Sequence, residues 1–387
     1  MNQKFIGATL LIAGTTIGAG MLALPMTSAQ FGLSKSLFLL IGMWIYMMYA
    51  AYIMVEISHG KGRSIATIAE ERFGAFAKNI AAFSLLMLFW SLLSAYISGS
   101  ASILHQNSHI KQPFLAIAYT CLFGFFVVSC TKAVDYANRF LFIAKCVAFF
   151  VIIMIMSPFV TFKNLTSQHV FTSMSLYYAI PIFFASFGFH GSLPSLINYL
   201  DGDKKIIYKS IFIGSAIPLI VYGIWQALTL GVLGNVFENT GDVGIFIAQL
   251  ASKTGYPSFS LVMNIFTFLV IATSFLGVAM GLFDYISEWF VDAHQKRAGA
   301  SSLTSSKRLI VALLTFLLPL IFSLFYPEGF VFALGFAAIA LSVLAIILPC
   351  LVAFGEKSSS FFMNKWVVSV ILLGGIAVVV IEVMSKL

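Results

Sequence analysis

Charge is scarce in this chain. Asp, Glu, Lys and Arg together make up 9% of 387 residues, against about 25% in an ordinary soluble domain. That shortage excludes a soluble enzyme, because a core of this length would need a charged shell to stay in water. No long polar tail or linker interrupts the pattern, so residues 1–387 are expected to form one membrane domain with no soluble module. No GxxxxGK[ST] sequence is present, which argues against a chain that energises itself by ATP hydrolysis. Cys121, Cys130, Cys146 and Cys350 lie in or at the ends of apolar runs, without CxxC spacing or placed His and acidic partners; they read as small core residues, with no metal or cofactor implied. His105 and His109 are four apart, but a short polar stretch followed by Lys111 and Pro113 reads as a loop, not a metal-binding helix face. The net charge of +8 is scattered between apolar runs. Without a clustered basic face there is no case for nucleic-acid binding.

What the chain has is apolar length. Sixty per cent of the residues are hydrophobic, with 40 Phe and 15 Met. Windows of about 20 residues give eleven candidate helices at 6–29, 34–57, 79–104, 113–130, 139–160, 175–199, 210–233, 257–291, 308–325, 329–350 and 365–385. The prediction is an all-α integral membrane protein embedded in a lipid bilayer. The first run follows Lys4 but is too long for a signal-peptide core, so it is expected to remain as a helix. With the N-terminus inside, 16 of the 22 Lys and Arg fall on the cytoplasmic side, five on the other, and Lys145 within a span. That bias predicts a cytoplasmic N-terminus and, with an odd number of spans, a C-terminus on the far side.

Two spans carry glycine-rich interruptions near their middles: Gly14-Thr15-Thr16-Ile17-Gly18-Ala19-Gly20 in the first and Phe184-Ala185-Ser186-Phe187-Gly188-Phe189-His190-Gly191 in the sixth. Backbone unpaired at that depth is tolerated only where protein or a wet cavity satisfies it. An offset of five spans inverts the second break relative to the first, so residues 6–160 and 175–350 read as inverted repeats with 365–385 as an extra helix. Matching breaks in two halves point to a transporter site at the midplane. A half-helix N-terminus offers amides to a carboxylate, and freed carbonyls can receive an ammonium. Gly18-Ala19-Gly20-Met21-Leu22-Ala23 also fits GxGxxA, but no strand precedes it, so a dinucleotide site is rejected. The Gly277 and Gly281 pair is read as close helix packing.

The stretch from Ala13 to Pro25 (AGTTIGAGMLALP) resembles the first-helix signature of the bacterial hydroxy and aromatic amino acid permeases. Ser186–Ser192 with Pro194-Ser195, Ala272–Val278 and Gly281–Tyr285 resemble that family too, and the likeness runs through nearly the whole chain. Asn138-Arg139-Phe140-Leu141-Phe142 and Gly214–Leu219 look most like its tyrosine-specific members. The resemblance implies the amino acid-polyamine-organocation superfamily, with a five-plus-five inverted-repeat fold of the leucine-transporter type. It further implies import of an aromatic amino acid, tyrosine before tryptophan or a broad aromatic range, by proton symport across a bacterial inner membrane. A channel is the remaining alternative, and no enzymatic constellation is visible.

Candidate binding residues in the breaks are Thr15, Thr16, Gly18, Ala19 and Gly20, then Phe184, Ala185, Ser186, Phe187 and Gly188. Tyr96 in span three could bond a carboxylate or simply pack, while Thr273 and Ser274 in span eight could face substrate or bond their own helix. Phe187, Phe189 and Phe336 could wall an aromatic side chain, although with 40 Phe in the chain packing is the ordinary role of any one. His190 reads either as a proton carrier or as a buried structural residue. Glu56, Asp284 and Glu288 read as solvated helix ends or an inner gate. Lys145, about 9 Å from the inner end of span five, either snorkels inward or, as the family likeness implies, carries the coupling proton near Gly14, Thr273 and Ser274.

Overall fold

The computed structural model describes residues 3–108, 110–129, 131–166, 173–234, 241–255, 257–290, 304–356 and 360–386. His109 and Cys130 lie outside them. Lipid offers no partner to a bare amide or carbonyl, so apolar chain must close its hydrogen bonds within helices. The elements are α1 (Gln3–Thr16), α2 (Gly20–Ser28), α3 (Gly32–Ile57), α4 (Ile65–Phe73), α5 (Ala75–Asn107), α6 (Gln112–Ser129), α7 (Thr131–Met156), α8 (Phe162–Thr166) and α9 (Ser173–Ala185). There follow α10 (Leu193–Tyr199), α11 (Lys204–Leu233), α12 (Val243–Thr254), α13 (Pro257–Ser287), α14 (Ser305–Phe325), α15 (Phe330–Ser342), α16 (Leu348–Phe354) and α17 (Lys365–Met384). No strand occurs among the described residues. Among the described residues ten helices are long and apolar enough to cross a membrane, or up to eleven spans when the bent pair α1 and α2 counts as one.

The chain divides into two compact units. The first comprises Met1–Leu88, Val160–Phe237 and Gly335–Leu387. Its core gathers Ala8 and Ile12 of α1, Ala51 and Val55 of α3, Leu196 and Ile197 of α10, and Ile207 and Ile211 of α11. Close approach of α1 to α11 depends on Gly214, where a Cβ would stand 2.8 Å from Ile12 Cβ and 2.9 Å from the Thr9 carbonyl oxygen. A π-helical turn at Val343–Ile347 separates α15 from α16. The second unit comprises Phe89–Phe159 and Glu238–Leu334. There α7 lies along α13, and α6 packs on α13 and α14, with Tyr119, Phe123, Phe268 and Phe275 in edge or tilted ring contacts.

Several span limits differ from the hydropathy windows. α5 extends to Asn107 and takes His105 into its last turn, where Nδ1 lies 2.8 Å from the Ile110 carbonyl oxygen, so the non-helical connection begins at Ser108, later than predicted. α7 begins at Thr131, eight residues before the predicted limit of 139, because helical hydrogen bonding continues where the sequence turns polar. The helices α4, α8 and α12 fall in predicted connections. Cys121 and Cys146 are exposed and Cys350 is buried, so the reading of all the cysteines as core is corrected. The packing role given to Gly277 is corrected too: nothing lies within 4 Å of a Cβ placed there, and Gly281 makes only ordinary contact with Phe89.

Candidate functional site

The first unit contains both breaks. α1 and α2 meet at 50° across Ile17-Gly18-Ala19. Ile17 N still donates to the Ala13 oxygen at 3.0 Å, and Met21 N donates to the Gly18 oxygen at 3.1 Å. Between them the amides of Gly18, Ala19 and Gly20 make no hydrogen bond among the described residues. They form the positive end of α2. In the second break, α9 stops at Ala185, the chain runs without regular helix to Phe189, and a 3-10 turn at His190–Ser192 leads into α10. The carbonyls of Phe184, Ala185 and Phe187 each accept one main-chain amide, from Phe187, Gly188 and Phe189 respectively, so each retains its second lone pair.

The two breaks touch. A Cβ on Gly20 would stand 2.6 Å from Ser186 Oγ and 3.0 Å from Ser186 Cα. A Cβ on Gly188 would stand 2.9 Å from Leu341 and 3.0 Å from the Ala185 oxygen. Only glycine fits at either place without displacing its neighbours.

The hydroxyls of the breaks turn inward on their own helices. Thr15 Oγ1 donates to the Leu11 oxygen at 2.9 Å, and Thr15 is exposed. Thr16 donates to Ile12 at 2.7 Å and Ser186 to Ile182 at 2.8 Å. Phe184, Phe187 and Phe189 are fully packed, whereas Phe336 on α15 is half-buried. His190 is buried against Phe189, and its Nε2 donates to the Met47 oxygen at 3.1 Å.

The remaining candidates belong to the second unit. Tyr96 is buried with its hydroxyl against that of Ser274. Thr273 and Ser274 donate to Leu269 and Val270 at 2.9 Å each. Lys145, on α7, is buried, which corrects the snorkelling alternative, and its Nζ stands 4.8 Å from the Phe142 ring centroid. Glu56, at the end of α3 in the first unit, is 8% exposed and ion-paired with Lys204 at 2.6 Å, with the Tyr208 hydroxyl donating to its other oxygen. It is a buried paired carboxylate, not a solvated helix end.

Sequence reasoning missed Tyr222 and Gln226 of α11. Both are fully buried. The Tyr222 hydroxyl lies 2.6 Å from the Thr16 carbonyl oxygen and 3.1 Å from that of Ser186, one on each break. The signal was available: a phenol and an amide four apart in an apolar span share one helix face.

Apolar spans with two apposed discontinuities define the class: a multi-pass membrane transporter built on broken helices. The tryptophan/tyrosine permease family model matches residues 1–385. The chain belongs to that family. It is 38% identical to the tyrosine-specific transport system 1 of Haemophilus influenzae over 356 residues, 90% of this chain and 87% of that protein. It is 32% identical to the tryptophan-specific transport protein of the same organism, covering 100% of this chain and 97% of that one. The crystal structure of MhsT in complex with L-phenylalanine superposes with a TM-score of 0.60 at 13% identity, covering 99% of this chain and 98% of that chain. This is the inverted-repeat fold of the leucine-transporter type, with α1 and α2 as its broken first span and α9 and α10 as its broken sixth.

Proposed function

We propose that the protein imports an aromatic amino acid, tyrosine in preference to others, by proton symport with alternating access across a bacterial inner membrane. The N-terminus is cytoplasmic and the C-terminus periplasmic, a reading supported by the distribution of Lys and Arg. Residues 1–387 act as one transport domain with repeats at about 6–160 and 175–350, without a cofactor. The observation that carries the reading is the contact of the two breaks at Gly20 and Ser186, beside three amides with no main-chain acceptor among the described residues. Amides at the start of α2 suit the carboxylate of an amino acid, and the second lone pairs of carbonyls 184–187 suit its ammonium. A relative described as tyrosine-specific supports the side chain. Tryptophan is the second reading, favoured by the full-length likeness to a protein described as tryptophan-specific.

Uptake of labelled tyrosine into proteoliposomes tests this, with tryptophan, phenylalanine and leucine as competitors and with or without an imposed pH gradient. Tyrosine should accumulate only with the gradient, and aromatic competitors should inhibit at least about tenfold more strongly than leucine. Equal competition by leucine would remove the aromatic pocket. Stronger competition by tryptophan than by tyrosine itself would select the second reading.

A further inference from the structure

The Tyr222 side chain is hydrogen-bonded to main-chain carbonyls of both broken helices. Its oxygen lies nearer the Thr16 carbonyl oxygen, at 2.6 Å, than that of Ser186, at 3.1 Å. Thr16 is the last residue of α1, so this bond engages a carbonyl that the break has released from the helical ladder. The ring is held edge-on against Phe187 with centroids 5.6 Å apart, which fixes the direction of the hydroxyl. One turn further along the same face of α11, the Gln226 side-chain oxygen accepts from Ser28 Oγ at 3.0 Å. Ser28 is the last residue of α2. α11 therefore ties the chain where it enters the break and again where α2 ends.

We propose that Tyr222, with Gln226 as a second tie, is a positioning residue that sets the angle at which α2 presents the Gly18, Ala19 and Gly20 amides to the substrate carboxylate. This rests on the amino acid reading given above. The argument is geometric. Three residues, Ile17, Gly18 and Ala19, separate α1 from α2, and glycine at position 18 and at the first position of α2 leaves the junction pliable. Amides aimed at an anion gain most when they are held before it arrives. A phenol reaching both breaks also keeps Gly20 against Ser186, so the donor and acceptor sides of the site stay in register.

The test compares binding of L-tyrosine, L-tyrosinamide and L-leucine to the intact purified protein and to Tyr222→Phe, which keeps the ring and removes the bridging hydroxyl. Replacing the carboxylate by an amide probes the α2 amides, whereas replacing the ring probes the side-chain pocket. In the unchanged protein tyrosine should bind more tightly than both analogues. In Tyr222→Phe the tyrosinamide-to-tyrosine Kd ratio should fall about tenfold, as expected for loss of one aligned charge-assisted interaction, while the leucine-to-tyrosine ratio stays unchanged. A general packing defect would weaken all three ligands together and would overturn the proposal, as would an unchanged tyrosinamide ratio. If Tyr222→Phe does not accumulate as folded protein, Ser28→Ala takes its place; the same ratio should fall about threefold, and no fall would overturn the role of the α11 ties. Failure of the unchanged protein to bind any aromatic amino acid would reject the functional reading and this inference with it. Binding with intact discrimination in both proteins would reject this inference alone.

Discussion

Gly20 and Gly188 show how much a single hydrogen in place of a methyl can decide. At Gly20 the obstacle includes Ser186 Cα, a backbone atom that cannot swing aside, and at Gly188 it includes the Ala185 oxygen. Gly20→Val should force the breaks apart, lowering tyrosine affinity at least about tenfold and stability by about 1–3 kcal/mol. Gly188→Leu should act in the same direction through Leu341 and Ala185. Equilibrium binding and thermal unfolding in detergent measure the two effects separately, and wild-type affinity in both variants would contradict the contact of the breaks as the binding element. These glycines stood out in the sequence because glycine in the middle of an apolar span is costly without a purpose. Tyr222 was readable only through its four-residue spacing to Gln226, and what its hydroxyl does, between two released carbonyls, is seen only in the fold. The hydroxyls of Thr15, Thr16, Thr273 and Ser274 were readable as polar positions, but hydropathy carries no direction. In the fold each donates to its own helix, which lets a hydroxyl sit in an apolar span without a distant partner.

At the scale of elements, the end of α3 and the start of α11 are joined through Glu56. Its carboxylate meets the Lys204 ammonium at 2.6 Å and accepts from Tyr208, and the Tyr52 and Tyr208 rings pack edge-on with centroids 4.8 Å apart. Lys204 is 44% exposed, so screening limits the charge term, while Glu56 is 8% exposed and its hydrogen bonds are protected. Glu56→Ala should cost about 1–3 kcal/mol, read as a lower Tm in detergent. Glu56→Gln should fall between that variant and the unchanged protein, because it keeps an acceptor for Tyr208 and loses only the charge. An unchanged Tm in both would mean that the pair contributes nothing. Long helices were legible because a span of about 20 apolar residues has few other uses. The connecting helices were hidden by the same logic. α12 is capped by Asp242, whose carboxylate accepts from the Ile245 amide at 3.0 Å, and α4 by Ser64, which accepts from the Thr67 amide at 3.2 Å. Such caps are local signals that a 20-residue average erases.

For the molecule as a whole the question is what drives accumulation, since the sequence contains no GxxxxGK[ST] motif for nucleotide hydrolysis. Lys145 was visible as the one basic residue well inside an apolar run, and in the fold it is 5% exposed on α7, beside α13. A lysine charge inside a bilayer costs about 2.5–3.5 kcal/mol on insertion scales. The Phe142 ring face at 4.8 Å is suited to the protonated amine, while the neutral amine avoids the cost of a buried charge. On the proton-symport reading proposed above, a lysine here would take up a proton with substrate and release it when the inner side opens to water. Lys145→Ala should then retain tyrosine binding and exchange but lose accumulation driven by a pH gradient. Lys145→Arg should behave the same way for a different reason, because guanidinium keeps its proton throughout the cycle. In the unchanged protein, uptake into proteoliposomes should collapse when a protonophore dissipates the gradient and should survive replacement of sodium by choline. Gradient-driven accumulation that persists undiminished in both lysine variants would exclude Lys145 as the carrier. Uptake that required sodium and ignored the protonophore would exclude proton symport for the whole molecule.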